Sequence, residues 1–246
     1  MTTPPWQVWL RRLTRPETPR SRLFCFPPAA AGASYFRGWT GLPEDVELWA
    51  VQPPGREDRL GDTGPGTVVG TATAVAQALQ WVNGVPFHFL GHSLGALVAH
   101  ETVLRLHRQS MPMPRRLFAS GCAAPSAHRV RAFEAADEGA VGELLVSLGA
   151  APETLADSDA RALVLGAART DLAMFFRHRP DTAPLPCPVT VLSGADDPSV
   201  PHAALAAWQE ASPSPVEQLV FPGTHHFLRE SGPAVAEALA SLLEAP

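Results

Sequence analysis

Six short runs rich in β-branched and aromatic residues recur along this 246-residue chain: RLFCF (22–26), VELWAV (46–51), FHFL (87–90), RLFASG (116–121), PVTVLSG (188–194) and VEQLVF (216–221). Between them lie longer stretches with helical periodicity, over 67–82, 96–108, 202–211 and 234–245. Strands that alternate with helices predict a mostly parallel sheet, because parallel neighbours must be joined by a crossover and a helix supplies it. The runs are almost continuously apolar, which fits strands covered by helices on both faces. Proline and glycine punctuate the loops, as in QPPGRED and GDTGPG. The expectation is one α/β domain spanning residues 1–246.

One segment breaks the rhythm. Residues 125–183 contain no convincing strand, only helical patterns such as EGAVGELLVSLGA and SDARALVLGAARTDLAMFFRH. They read as a helical insertion. Their apolar side chains, among them Leu144, Leu145, Leu148, Leu163, Leu172, Phe175 and Phe176, exceed what one amphipathic face needs. Two roles are open: additional core for a large domain, or a lid over a hydrophobic pocket.

Charge and cysteine usage exclude several classes. A net charge of −5 argues against a surface built to neutralise phosphates, so no nucleic-acid partner is expected. No stretch approaches the ~18 apolar residues of a membrane span, and MTTPPWQVWLRRL lacks the basic opening of a secretory leader. A cytoplasmic protein without membrane association is the expectation. Cys25, Cys122 and Cys187 are odd in number and lack CxxC spacing, which points to buried free thiols. No metal and no cofactor are expected. All 19 basic residues are arginine, a trait of GC-biased coding.

The chemistry centres on Ser93. GHSLG (91–95) matches G-x-S-x-G, the nucleophile elbow, which requires a strand before it and a helix after it. FHFL supplies the strand, and Leu97, Val98, Glu101 and Leu104 follow at helical steps. The demand is steric: a sharp turn lifts the serine hydroxyl clear of the sheet, and Gly91 and Gly95 leave room that Cβ atoms would fill. The helix N-terminus favours negative charge developing nearby. A serine hydroxyl is a poor nucleophile at neutral pH and needs a histidine base oriented by a carboxylate. Asp196 and Asp197 in ADDPSVP follow one predicted strand, and His225 and His226 in PGTHHF follow the next. Both loops lie at carboxyl ends of strands, where open α/β sheets gather function. Serine, aspartate, histidine is the chain order of the α/β hydrolases. The remaining histidines, His88, His92, His100, His107, His128, His178 and His202, are read as surface or core residues.

Four stretches together resemble the type II thioesterases that accompany modular polyketide and nonribosomal peptide synthases. LFCFPPAAAGASYFRGW resembles that family's LFCFPHAGGSASFF-like segment, and AVQPPGREDRL its Q-x-PGRE-x-R loop. FLGHSLGALVAHE resembles its elbow; PCPVTVLSGADDP and FPGTHHFL resemble its acid and base regions. The resemblance implies an α/β-hydrolase fold with a helical lid over 125–183. It makes Ser93 the nucleophile, Asp197 the acid and His225 the base, with Asp196 and His226 as alternatives. It makes the backbone N–H groups of Ala29 and Leu94 the oxyanion donors. The family's His-Ala-Gly-Gly reads here as Pro28, Ala29, Ala30 and Ala31, so the turn is expected to run a different path, with Gly32 in compensation. Thr224 stands where the family has a smaller residue.

The implied substrate is an acyl group on the phosphopantetheine arm of an acyl carrier protein or peptidyl carrier protein. Arginines drawn from Arg56, Arg59, Arg129, Arg131, Arg169, Arg177 and Arg179 are expected to face the entrance and meet an acidic carrier. The rival readings are a general serine carboxylesterase or lipase, an acyl-transfer accessory that passes the acyl group to an acceptor other than water, and a binding module without activity.

Overall fold

The computed structural model of the chain describes residues 5–82, 84–131, 133, 138–147 and 158–244. Seven strands form one sheet: β1 (Leu10–Arg12), β2 (Ser21–Phe26), β3 (Val46–Val51), β4 (Phe87–His92), β5 (Leu117–Ser120), β6 (Val189–Gly194) and β7 (Glu217–Phe221). Their order is β1-β3-β2-β4-β5-β6-β7, with every pair parallel except β1 and β3. The six runs expected from the sequence all appear as strands. The antiparallel edge strand β1 does not announce itself, since three residues, two of them arginine, carry no periodic pattern.

Nine helices accompany the sheet among the described residues. They are α1 (Pro5–Trp9), α2 (Val68–Leu79), α3 (Leu94–Arg108), α4 (Glu138–Ser147), α5 (Ser158–Arg177), α6 (His202–Ala206), α7 (Trp208–Ala211), α8 (Phe227–Glu230) and α9 (Gly232–Glu244). The single helix expected over 202–211 is two short ones that meet at Ala207. Of the segment over 125–183, the described part holds one 3-10 turn, α4 and α5, and no strand; Leu148 and residues 149–157 lie outside the described residues. No helix among the described residues is long and apolar enough to cross a membrane.

The period of two along the strands divides the core. Phe24, Phe26, Trp49, Val51, Phe89, Leu117 and Val191 face one layer, packed with α2 and α3. Their neighbours Leu23, Cys25, Leu48, Ala50, Leu90, Phe118 and Leu192 face the other, packed with Phe227 of α8 and Val235 and Leu239 of α9. Burial on both faces is the reason these strands read as nearly unbroken apolar runs. Cys25, Cys122 and Cys187 are free and buried.

The sheet order places the site. From β2 the chain crosses to β3 on one side, and from β4 it proceeds to β5 on the other, so the loops after β2 and β4 diverge. Such a switch point opens a crevice at the carboxyl ends of the strands.

Candidate active site

Ser93 occupies the single residue between β4 and α3, with φ 54° and ψ −121°. For a residue other than glycine this is strained backbone, and such strain gathers at functional sites. Among the described residues four non-glycines have positive φ; Ala30, Glu57 and Ser93 are three of them, and all lie in loops at this end of the sheet. The flanking glycines permit the turn by close approach. A Cβ on Gly91 would fall 2.4 Å from the Gly95 carbonyl oxygen, and one on Gly95 only 2.1 Å from that of Phe26. The start of α3 is thereby pressed onto the end of β2.

Asp197 and His225 meet at the ends of β6 and β7. His225 Nδ1 lies 2.7 Å from Asp197 Oδ2, and the two side chains are 4% and 3% exposed. His225 Nε2 has no hydrogen-bond partner among the described residues. Ser93 stands beside this pair. Its N–H donates to the Ser120 carbonyl (2.8 Å), and a Cβ on the adjoining Gly121 would be 3.3 Å from His225 Cε1. No hydrogen bond joins Ser93 Oγ to His225.

The alternatives separate cleanly. Asp196 is exposed, whereas Asp197 is held. His226 turns to the Tyr35 hydroxyl, 3.1 Å from its Nδ1, and burial with the neighbouring His225 lowers its pKa to about 4. Thr224 is fixed by Glu230, which accepts from its hydroxyl at 2.6 Å and from its amide at 2.8 Å.

Two residues at this site have no part in the sequence reading. Ser199 donates its hydroxyl (2.5 Å) and its amide (2.9 Å) to Asp197 Oδ1, and its oxygen lies 3.0 Å from His225 Nδ1. An Asp followed two residues later by Ser is the signal for such a turn. His92, read as an unassigned histidine, lies under the pair with its ring 4.9 Å from that of His225 and its Nδ1 3.0 Å from Ser120 Oγ. Burial first, then the charges of His225 and His226, hold its pKa far below the ordinary histidine value.

Burial alone would raise the Asp197 carboxyl. The hydrogen bond and charge of His225, with the two bonds from Ser199, outweigh it and bring the pKa to about 2. A depressed native pKa stabilises the fold above the unfolded value near 3.9, and the stabilisation is lost as pH falls through about 2. A carbon-13 NMR titration of the Asp197 carboxyl is therefore expected to show its midpoint near 2. In Ser199→Ala the midpoint should move upward; an unmoved midpoint would remove Ser199 from the account.

The loop after β2 is a turn over 28–31, closed by the Ala31 N–H to the Pro28 carbonyl at 3.2 Å. Within it Ala30 takes φ 63°, the left-handed conformation glycine would hold without strain. Gly32, with φ −117°, does not compensate; its missing Cβ makes room for the Glu57 carboxylate. The PGRE loop explains the rest. Gln52 Oε1 accepts from the Ala33 amide (2.9 Å), Glu57 Oε1 from the Ser34 amide (3.2 Å) and hydroxyl (2.6 Å), and Arg56 donates to the Ala31 carbonyl (3.3 Å). The N–H groups of Ala29 and Leu94 meet no acceptor among the described residues.

Arg56 and Arg59 sit differently from the other arginines named as candidates for the entrance, and Arg56 lines a cavity beside α3. Both are buried, Arg56 paired with Asp171 and Arg59 with Asp62. Arg129, Arg131, Arg177 and Arg179 are exposed, and Arg169 is half-buried. A cavity of about 360 Å³ runs along the start of α3, its walls including Phe26, Pro28, Leu94, Val98 and Met174. It reaches Leu94 and Gly95, the two residues after Ser93. No group of three or more His, Cys, Asp or Glu that could hold a metal is present among the described residues.

Comparison with known proteins agrees with this architecture. Residues 21–245 match the Thioesterase domain family. Thioesterase PikA5 of Streptomyces venezuelae is 35% identical, over 91% of this chain and 81% of that protein. Gramicidin S biosynthesis protein GrsT of Aneurinibacillus migulanus is 34% identical, over 85% of this chain and 84% of its own. Among solved structures, the RedJ thioesterase from the prodiginine pathway of Streptomyces coelicolor superposes with a TM-score of 0.83 at 33% identity, covering 92% of each chain. YbtT, a type II thioesterase of the yersiniabactin pathway, gives a TM-score of 0.82 at 25% identity, covering 95% of this chain and 97% of its own. The fold is that of the α/β hydrolases, and the chain belongs to the thioesterase domain family of enzymes.

Proposed function

We propose that this protein is a type II editing thioesterase that hydrolyses acyl groups from the phosphopantetheine arm of acyl or peptidyl carrier proteins in polyketide or nonribosomal peptide synthesis, in the cytoplasm. The observation that carries the reading is the buried Asp197–His225 hydrogen bond, with His225 Nε2 unpartnered beside the strained Ser93 turn. In this mechanism Nε2 takes the Ser93 hydroxyl proton as Oγ attacks the thioester carbonyl. Asp197, ionised, holds the Nδ1–H and stabilises the imidazolium that forms. The Ala29 and Leu94 amides donate to the oxyanion, aided by the N-terminus of α3. Collapse expels the pantetheine thiolate, which receives the proton from His225. Water, deprotonated by the same nitrogen, then cleaves the acyl-serine and releases the free acid. A thiol with pKa near 8.5 leaves more readily than an alcohol, so the thioester demands little of the general acid.

The cavity beside Leu94 suits the apolar acyl chain, and α4 with α5 supplies the lid, so the segment over 125–183 belongs to the same single domain as a gate. Intact-mass measurement of a panel of acylated carrier proteins tests the reading: deacylation with free acid as product is expected. Preferential turnover of nitrophenyl esters, or transfer of the acyl group to another acceptor, would favour a rival. Carrier proteins of this family are acidic, and exposed Arg129 and Arg179 flank the helical segment. Arg129→Glu with Arg179→Glu is expected to raise KM for carrier-borne substrate by about tenfold through lost steering and docking. Acyl-pantetheine turnover should be unaffected, and equal loss on both substrates would contradict docking at these residues.

A further inference from the structure

We infer that Asp171 and Arg56 form a clamp through which α5 sets the turn over 28–31, making Asp171 a positioning residue for the oxyanion donor Ala29. The inference rests on the proposed role of the Ala29 amide. The turn is fixed at two peptide planes. In the plane between Pro28 and Ala29 the carbonyl accepts from the Ala31 N–H, so the Ala29 N–H, antiparallel to it across a trans peptide, points out of the turn. In the next plane the Ala30 N–H donates to Asp171 Oδ2 at 2.9 Å. That bond holds Ala30 at φ 63°, a conformation alanine does not favour by itself.

Asp171 can hold the amide because it is itself held. Arg56 grips both its carboxylate oxygens, Nη1 on Oδ2 and Nη2 on Oδ1 at 3.1 Å, and the same Nη1 reaches the Ala31 carbonyl at 3.3 Å. Both side chains are almost fully buried. One ion pair thus grasps the turn by an N–H and a C=O on adjacent residues. Apolar contact runs in parallel: Ala29 and Ala30 pack against Val141 and Leu145 of α4 and Leu165, Ala168 and Leu172 of α5. Asp171 lies 141 positions from Ala30 in sequence and, among the described residues, is the polar tether of the turn that comes from α5; Arg56 belongs to the loop after β3, as do Gln52 and Glu57, which hold Ala33 and Ser34 just beyond the turn. A shift of α5 would draw Asp171 from the Ala30 amide and let the strained turn relax. The placement of α5 and the geometry of the oxyanion turn are therefore linked through this pair.

The test uses full-length protein and an acyl-N-acetylcysteamine thioester, which needs no carrier. Asp171→Asn keeps shape but loses the charge that orders Arg56; Arg56→Met with Asp171→Leu replaces the pair by apolar groups, an exchange buried ion pairs often tolerate without loss of stability. In both, kcat is expected to fall about 10- to 100-fold with little change in KM. Inhibition by a trifluoromethyl ketone, whose adduct places an oxyanion in the site, should weaken by the same factor as kcat/KM. The melting temperature of the apolar double variant should stay near that of wild type. Unchanged kcat, or a loss confined to KM with ketone inhibition intact, would overturn the clamp. Wild-type protein that neither hydrolyses the thioester nor reacts with a fluorophosphonate at Ser93 would overturn the proposed function, and the clamp with it. Wild-type turnover matched by both variants removes the clamp alone.

Discussion

Replacing Ser93 by alanine is expected to abolish release of free acid from acyl-carrier protein, lowering kcat by about four to six orders of magnitude. The size of the effect follows from the role: without Oγ there is no acyl-enzyme, and what remains is polarisation of the carbonyl by backbone amides. Because serine, histidine and aspartate act as a unit, His225→Ala should lose nearly as much as Ser93→Ala, and the double variant little more. His226→Phe is the discriminating control. His226 bonds Tyr35 and leaves Asp197 to His225, so its loss should lower kcat by no more than about tenfold. The fold should tolerate Ser93→Ala with little change in melting temperature, since alanine inherits the same strained φ and the hydroxyl makes no bond to His225. Intact-mass kinetics on one acylated carrier decides among these outcomes. Deacylation that persists in Ser93→Ala, or that follows His226 in place of His225, would end the mechanism.

What could be read in the sequence was local. A run such as VELWAV reads as a strand because it is short, rich in β-branched and aromatic residues and bounded by turn signals, and all six residues, Glu47 included, are buried in the fold. The elbow was legible for a related reason: the steric demands on Gly91 and Gly95 arise from backbone within a few residues or at the end of one neighbouring strand. Asp197 over Asp196 and His225 over His226 followed from resemblance, and in the folded chain it is Asp197 and His225 that bond each other. What stayed hidden was polar and distant. The Asp171 bond to Ala30 spans 141 residues, and no periodicity announces a carboxylate that faces inward from an amphipathic helix. Arg56 is buried for a reason of the same kind: its partner Asp171 stands 115 positions away and meets it only in the folded chain. Alanine does adopt the left-handed conformation where a tertiary hydrogen bond and apolar packing over-determine it.

Gly95→Ala is expected to produce the largest structural effect of any single methyl group added to the protein. Its Cβ would stand 2.1 Å from the Phe26 carbonyl oxygen and 2.7 Å from that of Pro27. Both are main-chain atoms at the end of a central strand, and no side chain can swing aside. Either β2 or the first turn of α3 must move, at a cost of about 3 kcal/mol or more, the upper end for overpacking. Function should suffer beyond stability. The displaced turn carries the Leu94 amide, and losing one oxyanion donor alone lowers kcat about 10²- to 10³-fold. Gly166→Ala supplies the opposite sign from the same chemistry. Gly166 lies within α5 with nothing within 4 Å of the added methyl, so alanine should stabilise the protein by about 0.5–1 kcal/mol through helix propensity. Denaturant midpoints for the two variants should therefore move in opposite directions. A Gly95→Ala protein with the stability and turnover of wild type would mean that α3 does not press on β2 as described, and with that contact would go the physical reason for the second glycine of the elbow.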